Sequence, residues 1–259
     1  MHSQNHLNTT LTSNFVHYQL ESINIITGKR IGNCKKMISA TQQSPVVIND
    51  SNDCTACVIW LHGLGADGHD FVPVINMLKL DNVRFILPHA PIRKVIRNNG
   101  VEMRAWYDIY GLTVESREDT QGIRQSEFYI ESLINAEISR GIPANKIVIA
   151  GFSQGGAMAL HTALRFKQSL AGVIALSAYL PLQARLVDEK THQNQAIKLF
   201  MAHGSHDEVI TIQTCQASIK ALQNAQYLID WHEYAMEHTV CAQEIDDIHQ
   251  FLMLTLALK

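Results

Sequence analysis

The sequence predicts an α/β fold, a mainly parallel, doubly wound sheet with helices on both faces. From about residue 54 onward, short apolar runs alternate with amphipathic helical patterns, the order that parallel strands joined by crossover helices produce. Each run is too short for a core helix and shows no polar alternation, as a strand covered on both faces requires. Several runs end in glycine-rich turns, where such a sheet places its working loops.

Taken in order, residues 1–52 stand apart. They are rich in Asn, Ser, Thr and Gln, carry a small basic cluster (Lys29, Arg30, Lys35, Lys36), and show no sustained period. The expectation is a weakly ordered N-terminal extension, with a short strand or two within FVHYQLESINI (15–25) and a normal-looking start at Met37. An α/β domain over 53–259 follows. CVIWL (57–61) is its first buried strand, and His62-Gly63-Leu64-Gly65-Ala66-Asp67-Gly68 is the turn after it. VRFILP (83–88), KIVIAG (146–151), AGVIALS (171–177), IKLFMAHG (197–204) and YLIDWHEY (227–234) are the remaining strands. Ile130, Leu133, Ile134 and Ile138 share one helical face, and Ile245, Ile248 and Leu252 share another near the C-terminus.

Composition narrows the function. A chain of 259 residues, 46% hydrophobic and 17% charged, has the apolar mass for a sizeable core. A formal charge of −3 offers no field for a polyanion, so nucleic acid is not an expected partner. No stretch approaches the ~18 apolar residues of a membrane span, and the N-terminus has neither a basic n-region nor an apolar h-region. Five scattered cysteines fit reduced thiols in the cytoplasm better than a disulfide framework. Cys54-Thr-Ala-Cys57 leads into a strand rather than a helix N-terminus, and no second pair completes a zinc site. The glycine-rich turn after CVIWL lacks the spacing of a nucleotide loop. Neither metal nor cofactor is expected.

The chemistry centres on Gly151-Phe152-Ser153-Gln154-Gly155, a G-x-S-x-G placed between the strand KIVIAG and the apolar helix AMALHTALRF. A sharp strand-to-helix turn exposes the serine and forces its neighbours at ±2 to be nearly free of side chain. The helix N-terminus then faces the reacting centre, where negative charge develops. Serine is a weak nucleophile without a base and an orienting acid, which in this arrangement follow in the order acid, then histidine. Among the acids Asp188, Glu189, Asp207, Glu208 and Asp230, Asp207 sits just past the carboxyl end of IKLFMAHG. Among His232, His238 and His249, only His238 lies in a loop at a strand's carboxyl end. The oxyanion hole takes one N–H from Gln154 and one from the early glycine loop, with Leu64 as its donor.

Together LHGLGADGHDF, PHAP (88–91), RAWYDIYG (104–111), GFSQGGAMAL, LSAYLP (176–181), HGSHDEVI (203–210) and MEHTV (236–240) resemble the blocks of the acyl-protein thioesterase and carboxylesterase family, in that family's order. The resemblance implies an α/β-hydrolase fold with a minimal lid, Ser153 as nucleophile, Asp207 as acid, His238 as base, and Leu64 and Gln154 at the oxyanion. It further implies carboxylic esters and S-acyl thioesters as substrates, including small acyl esters, S-acylated proteins or lysophospholipids. A homodimer is an open alternative for its assembly. Ala235 stands where many members carry glycine, and the leader has no counterpart in the pattern. The apolar density of Trp106, Tyr107, Ile109, Tyr110 and Leu112 is wrong for a solvated loop and marks a substrate wall, with a cap on the core as the competing reading, above all for Trp106 and Tyr107. The competing readings are a lysophospholipase or activated-ester hydrolase on the same fold, and a binding protein on an inactive one.

Overall fold

A computed structural model of the chain describes residues 43–111 and 116–258. The strand expected within 15–25 and the residue Leu112 lie outside the described residues. The elements run β1 (Val46–Ile48), β2 (Ala56–Leu61), α1 (Val72–Leu78), β3 (Val83–Leu87), β4 (Ile92–Val95), β5 (Val101–Arg104), α2 (Thr120–Arg140), β6 (Ile147–Phe152), α3 (Gln154–Arg165), β7 (Gly172–Leu176), α4 (Leu186–Glu189), β8 (Lys198–Gly204), α5 (Ile212–Asn224), β9 (Ile229–Tyr234) and α6 (Ala242–Leu256).

Seven strands form the central sheet in the order β1-β3-β2-β6-β7-β8-β9. All neighbouring pairs are parallel except β1 with β3. The antiparallel β1 therefore begins the sheet upstream of the domain start expected at residue 53. It is a three-residue edge strand of partly exposed Val and Ile, too short to show a period within its polar surroundings.

The burial pattern explains the apolar runs. Alternate residues of each inner strand feed opposite cores. Cys57, Ile59 and Leu61 of β2 join α2, α3 and α5 on one face, while Val58 and Trp60 join α1 and α6 on the other. A strand that buries both faces needs apolar residues throughout, which is why periodicity of two is absent. Helix α2 starts at Asp119, whose Oδ1 accepts the Gly122 N–H at 2.9 Å, and stops at Gly141 with φ 112°.

Outside the sheet, β4 and β5 form a separate antiparallel ribbon, with Val95 paired to Val101. Its turn holds Asn99 at φ 55° and Gly100 at φ 73°, a left-handed pair that Asn-Gly suits. The Asn98-Asn99-Gly100 triplet carried that hairpin signal in the sequence.

Candidate active site

Ser153 sits between β6 and α3 with φ 54° and ψ −121°, a strained conformation for a residue with a Cβ. Its N–H is anchored on Leu176 O at 2.8 Å. The turn is possible only because its neighbours are glycines. A Cβ on Gly151 would fall 2.3 Å from the Gly155 carbonyl carbon, and one on Gly155 would fall 2.2 Å from Leu61 O. The serine is thereby forced out at the carboxyl edge of the sheet, where α3 begins.

The other two members arrive from β8 and β9. Gly204 lets these strands' loops meet, since a Cβ there would lie 2.3 Å from Met236 O. His206 N–H then donates to Met236 O at 3.0 Å. This brings His238 Nε2 to 2.9 Å from Ser153 Oγ and His238 Nδ1 to 2.6 Å from Asp207 Oδ2. Asp207 is buried, and its Oδ1 accepts the N–H groups of Val209 and Ile210, each at 2.9 Å. A buried carboxylate so held keeps the imidazole proton on Nδ1 and leaves Nε2 free to take the serine proton. The Phe152 ring lies 4.7 Å from the His238 ring and packs against it.

The alternative acids and bases sit elsewhere in the fold. Glu189 pairs with Arg124 and Arg165, Glu208 is exposed, and Asp188 lies in α4. Asp230 and His232 face each other along β9 at 3.0 Å, and His249 Nδ1 meets Leu78 O across α6 and α1.

Leu64 and Gln154 line one cleft of about 360 Å³ with Ser153 and His238. Gln154 opens α3, so its backbone N–H belongs to the first turn, which has no acceptor within the helix. The loop carrying Leu64 lies close by: a Cβ on Gly63 would sit 3.5 Å from Ser153 Cβ. That loop is held by Gly65 N–H to Arg104 O at 2.8 Å and by neutral His62 beneath it. His62 gives its Nδ1–H to Gly63 O and accepts Ala90 N–H at Nε2, and burial pulls its pKa down to about 4.

The expected substrate wall divides. Trp106 is fully buried and donates its Nε1–H to His62 O at 2.8 Å, so it is a core residue supporting the glycine loop. The reason is that a large ring with a polar handle finds an interior acceptor. Ile109 does line the cleft beside Ser153. Tyr110 lines a smaller neighbouring pocket of about 70 Å³, with Arg117 stacked 4.9 Å from its ring. Sequence reasoning missed Tyr179, which with Tyr107 lines both spaces; the two bond through their hydroxyls at 2.8 Å. It also missed the Gln154 side chain, whose amide accepts from Trp106 N–H and donates to Tyr107 O.

Among the described residues, one group has metal-ligating types close together: Asp67, His69 and His89. Asp67 Oδ1 takes the backbone and Nδ1 protons of His69, and His89 Nδ1 accepts Gly68 N–H at 3.1 Å. These bonds order the turn, and His89 then carries its proton on Nε2, the wrong tautomer for a ligand at that atom.

Residues 42–256 match the phospholipase/carboxylesterase family. The acyl-protein thioesterase 1 of Neurospora crassa is 39% identical over 228 residues, covering 83% of this chain and 93% of that protein. Among solved structures, Arabidopsis thaliana SOBER1 superposes with a TM-score of 0.75 at 26% identity, over 78% of this chain and 99% of its own. Zea mays acyl-protein thioesterase 2 gives 0.73 at 27%, over 82% and 98%.

Proposed function

Because the chain belongs to the phospholipase/carboxylesterase family of α/β-hydrolases, we propose that it cleaves carboxylic esters and S-acyl thioesters through an acyl-enzyme on Ser153. The observation that carries this reading is the continuous Ser153–His238–Asp207 chain, at 2.9 and 2.6 Å, opening on a cleft with an apolar wall. His238 Nε2 removes the Oγ proton as Oγ attacks the acyl carbon. The oxyanion rests on the N–H groups of Leu64 and Gln154, and Asp207 steadies the imidazolium. His238 returns the proton to the departing alcohol or thiol. Water, deprotonated by the same imidazole, then releases the acid and regenerates Ser153. These residues complete the cycle without a metal or cofactor.

The acyl chain runs against Ile109, with Tyr110 in the neighbouring pocket beyond it. S-acylated proteins suit this cleft, in keeping with the names of the relatives, and lysophospholipids are the second substrate class. Among the described residues no helix is long and apolar enough to cross a membrane. Four described cysteines are free thiols, which suits the cytoplasm.

The test is a matched panel of acyl thioesters, oxygen esters and lysophospholipids assayed with wild type and Ser153→Ala. All turnover of the preferred class should vanish in the variant, and a chelator should leave the wild-type rate unchanged. Thioester or ester hydrolysis that survives Ser153→Ala would refute the assignment.

A further inference from the structure

We propose that His203 is a positioning residue for the triad: its Nε2–H holds the Ile210 carbonyl and, through the backbone of Ile210, aims Asp207 at His238. The proposal rests on the Ser153–His238–Asp207 reading above.

His203 lies near the end of β8, fully buried behind Asp207. Its Nε2 is 2.7 Å from Ile210 O. A carbonyl only accepts, so the proton is on Nε2 and Nδ1 is bare. Nδ1 is buried with no hydrogen-bond partner, which a neutral ring tolerates better than a charged one. Burial also holds the His203 pKa below its ordinary value, with Asp207, His238 and Glu233 as its charged or titratable neighbours.

Ile210 is thus gripped through the two peptide groups on either side of its Cα. Its C=O accepts from His203, and its N–H donates to Asp207 Oδ1 at 2.9 Å. With Val209 N–H this closes a turn that sets where the carboxylate points. The same His203 Nε2 lies 3.4 Å from Asp207 Oδ2, the oxygen that holds His238. One imidazole therefore fixes the acid's position through the backbone of Ile210. Through its dipole it also draws off some of the negative charge that His238 feels. A further titratable group near Asp207 is Cys215 on α5, which burial pushes up to about 12, so it stays a thiol.

Losing this donor has two signatures. The acid is aimed less well, which lowers kcat. The carboxylate keeps more of its charge for His238, which stabilises the imidazolium and raises the pH needed to free the base. A residue that only filled space would move neither the profile nor its midpoint.

The experiment compares His203→Met, which keeps bulk but has no donor, with His203→Gln, whose amide N–H reaches the place of Nε2. Both are assayed on one p-nitrophenyl ester across pH, after thermal melts confirm folding. His203→Met should lose about 10- to 100-fold in kcat with KM within about twofold, and its acid limb should move to higher pH. His203→Gln should recover most of both. An unmoved acid limb in His203→Met, a loss carried by KM, or no recovery in His203→Gln would overturn the proposal. If His203→Met does not fold, His203→Asn takes its place, since its shorter amide cannot reach Ile210 O and should show the same deficit against His203→Gln. Asp207→Asn separates the two levels of the account. An active Asp207→Asn would sink the triad itself, whereas an inactive one beside a wild-type-like His203→Met would sink only the role of His203.

Discussion

On one side of the cleft, Gly151, Gly155 and Gly204 let the backbone segments that carry Ser153, Asp207 and His238 meet closely, with almost no room for a Cβ at any of the three. On the other side, Tyr107 and Ile109 are held by bonds from distant elements: Gln154 of α3 grips the 106–107 backbone, and Asp119 Oδ2 takes the Asp108 N–H at 2.9 Å. A shelf built on backbone clashes tolerates no change in its residues. A wall built on side-chain bonds can be altered one contact at a time, while the Ser153–His238–Asp207 arrangement stays in place.

The comparison sharpens first at Ser153. Ser153→Ala should leave a folded protein with activity down by about 10⁴-fold or more, and Asp207→Ala or His238→Ala added to it should cost little further, since the three act as one unit. Steady-state rates of the single and double variants decide this; additive losses would break the unit. Next, Gly155→Ala drives a methyl into Leu61 O and should destabilise the fold by about 3 kcal/mol or more, read as a shift in denaturant midpoint. A near-neutral result would show that the shelf can yield.

Beneath the glycine loop, His62 should make stability depend on pH. Its pKa is about 4 in the fold against an ordinary 6.5, so between those values the unfolded chain binds more protons than the folded one. Stability therefore rises with pH through that window and is lost on acidification, by about 3 kcal/mol in all. Unfolding curves at pH 7 and pH 4.5 should converge for His62→Gln relative to wild type; equal slopes would contradict the assignment.

Effects should be smaller on the wall. Gln154→Ala strands the Trp106 N–H and the Tyr107 carbonyl and should cost about 1–3 kcal/mol of stability, measurable by thermal melt. Ile109→Ala should weaken long acyl substrates more than short ones, by up to ~0.8 kcal/mol per methylene that loses its contact. A uniform fall in kcat/KM from acetyl to octanoyl esters would remove Ile109 from the acyl path.

The same contrast explains what was legible in the sequence. The strand runs, the G-x-S-x-G turn and the loop positions of Asp207 and His238 could be read locally, because each depends on residue size or polarity within a few positions. The geometry brings Ser153, His238 and Asp207 within hydrogen-bond reach. Trp106 could not be placed between core and cleft wall because its apolar bulk says nothing of the His62 carbonyl waiting inside the core. The hydroxyl pair of Tyr107 and Tyr179 and the gripping amide of Gln154 join residues far apart in the chain, and no local period reports such contacts. The edge strand β1 was hidden by its three-residue length.

The most direct measurement is mass spectrometry of the protein quenched during turnover of a p-nitrophenyl ester, followed by peptide mapping. The account predicts a single acyl adduct on the peptide containing Ser153, absent in Ser153→Ala. An adduct on another residue, or continued hydrolysis with Ser153 replaced, would contradict it.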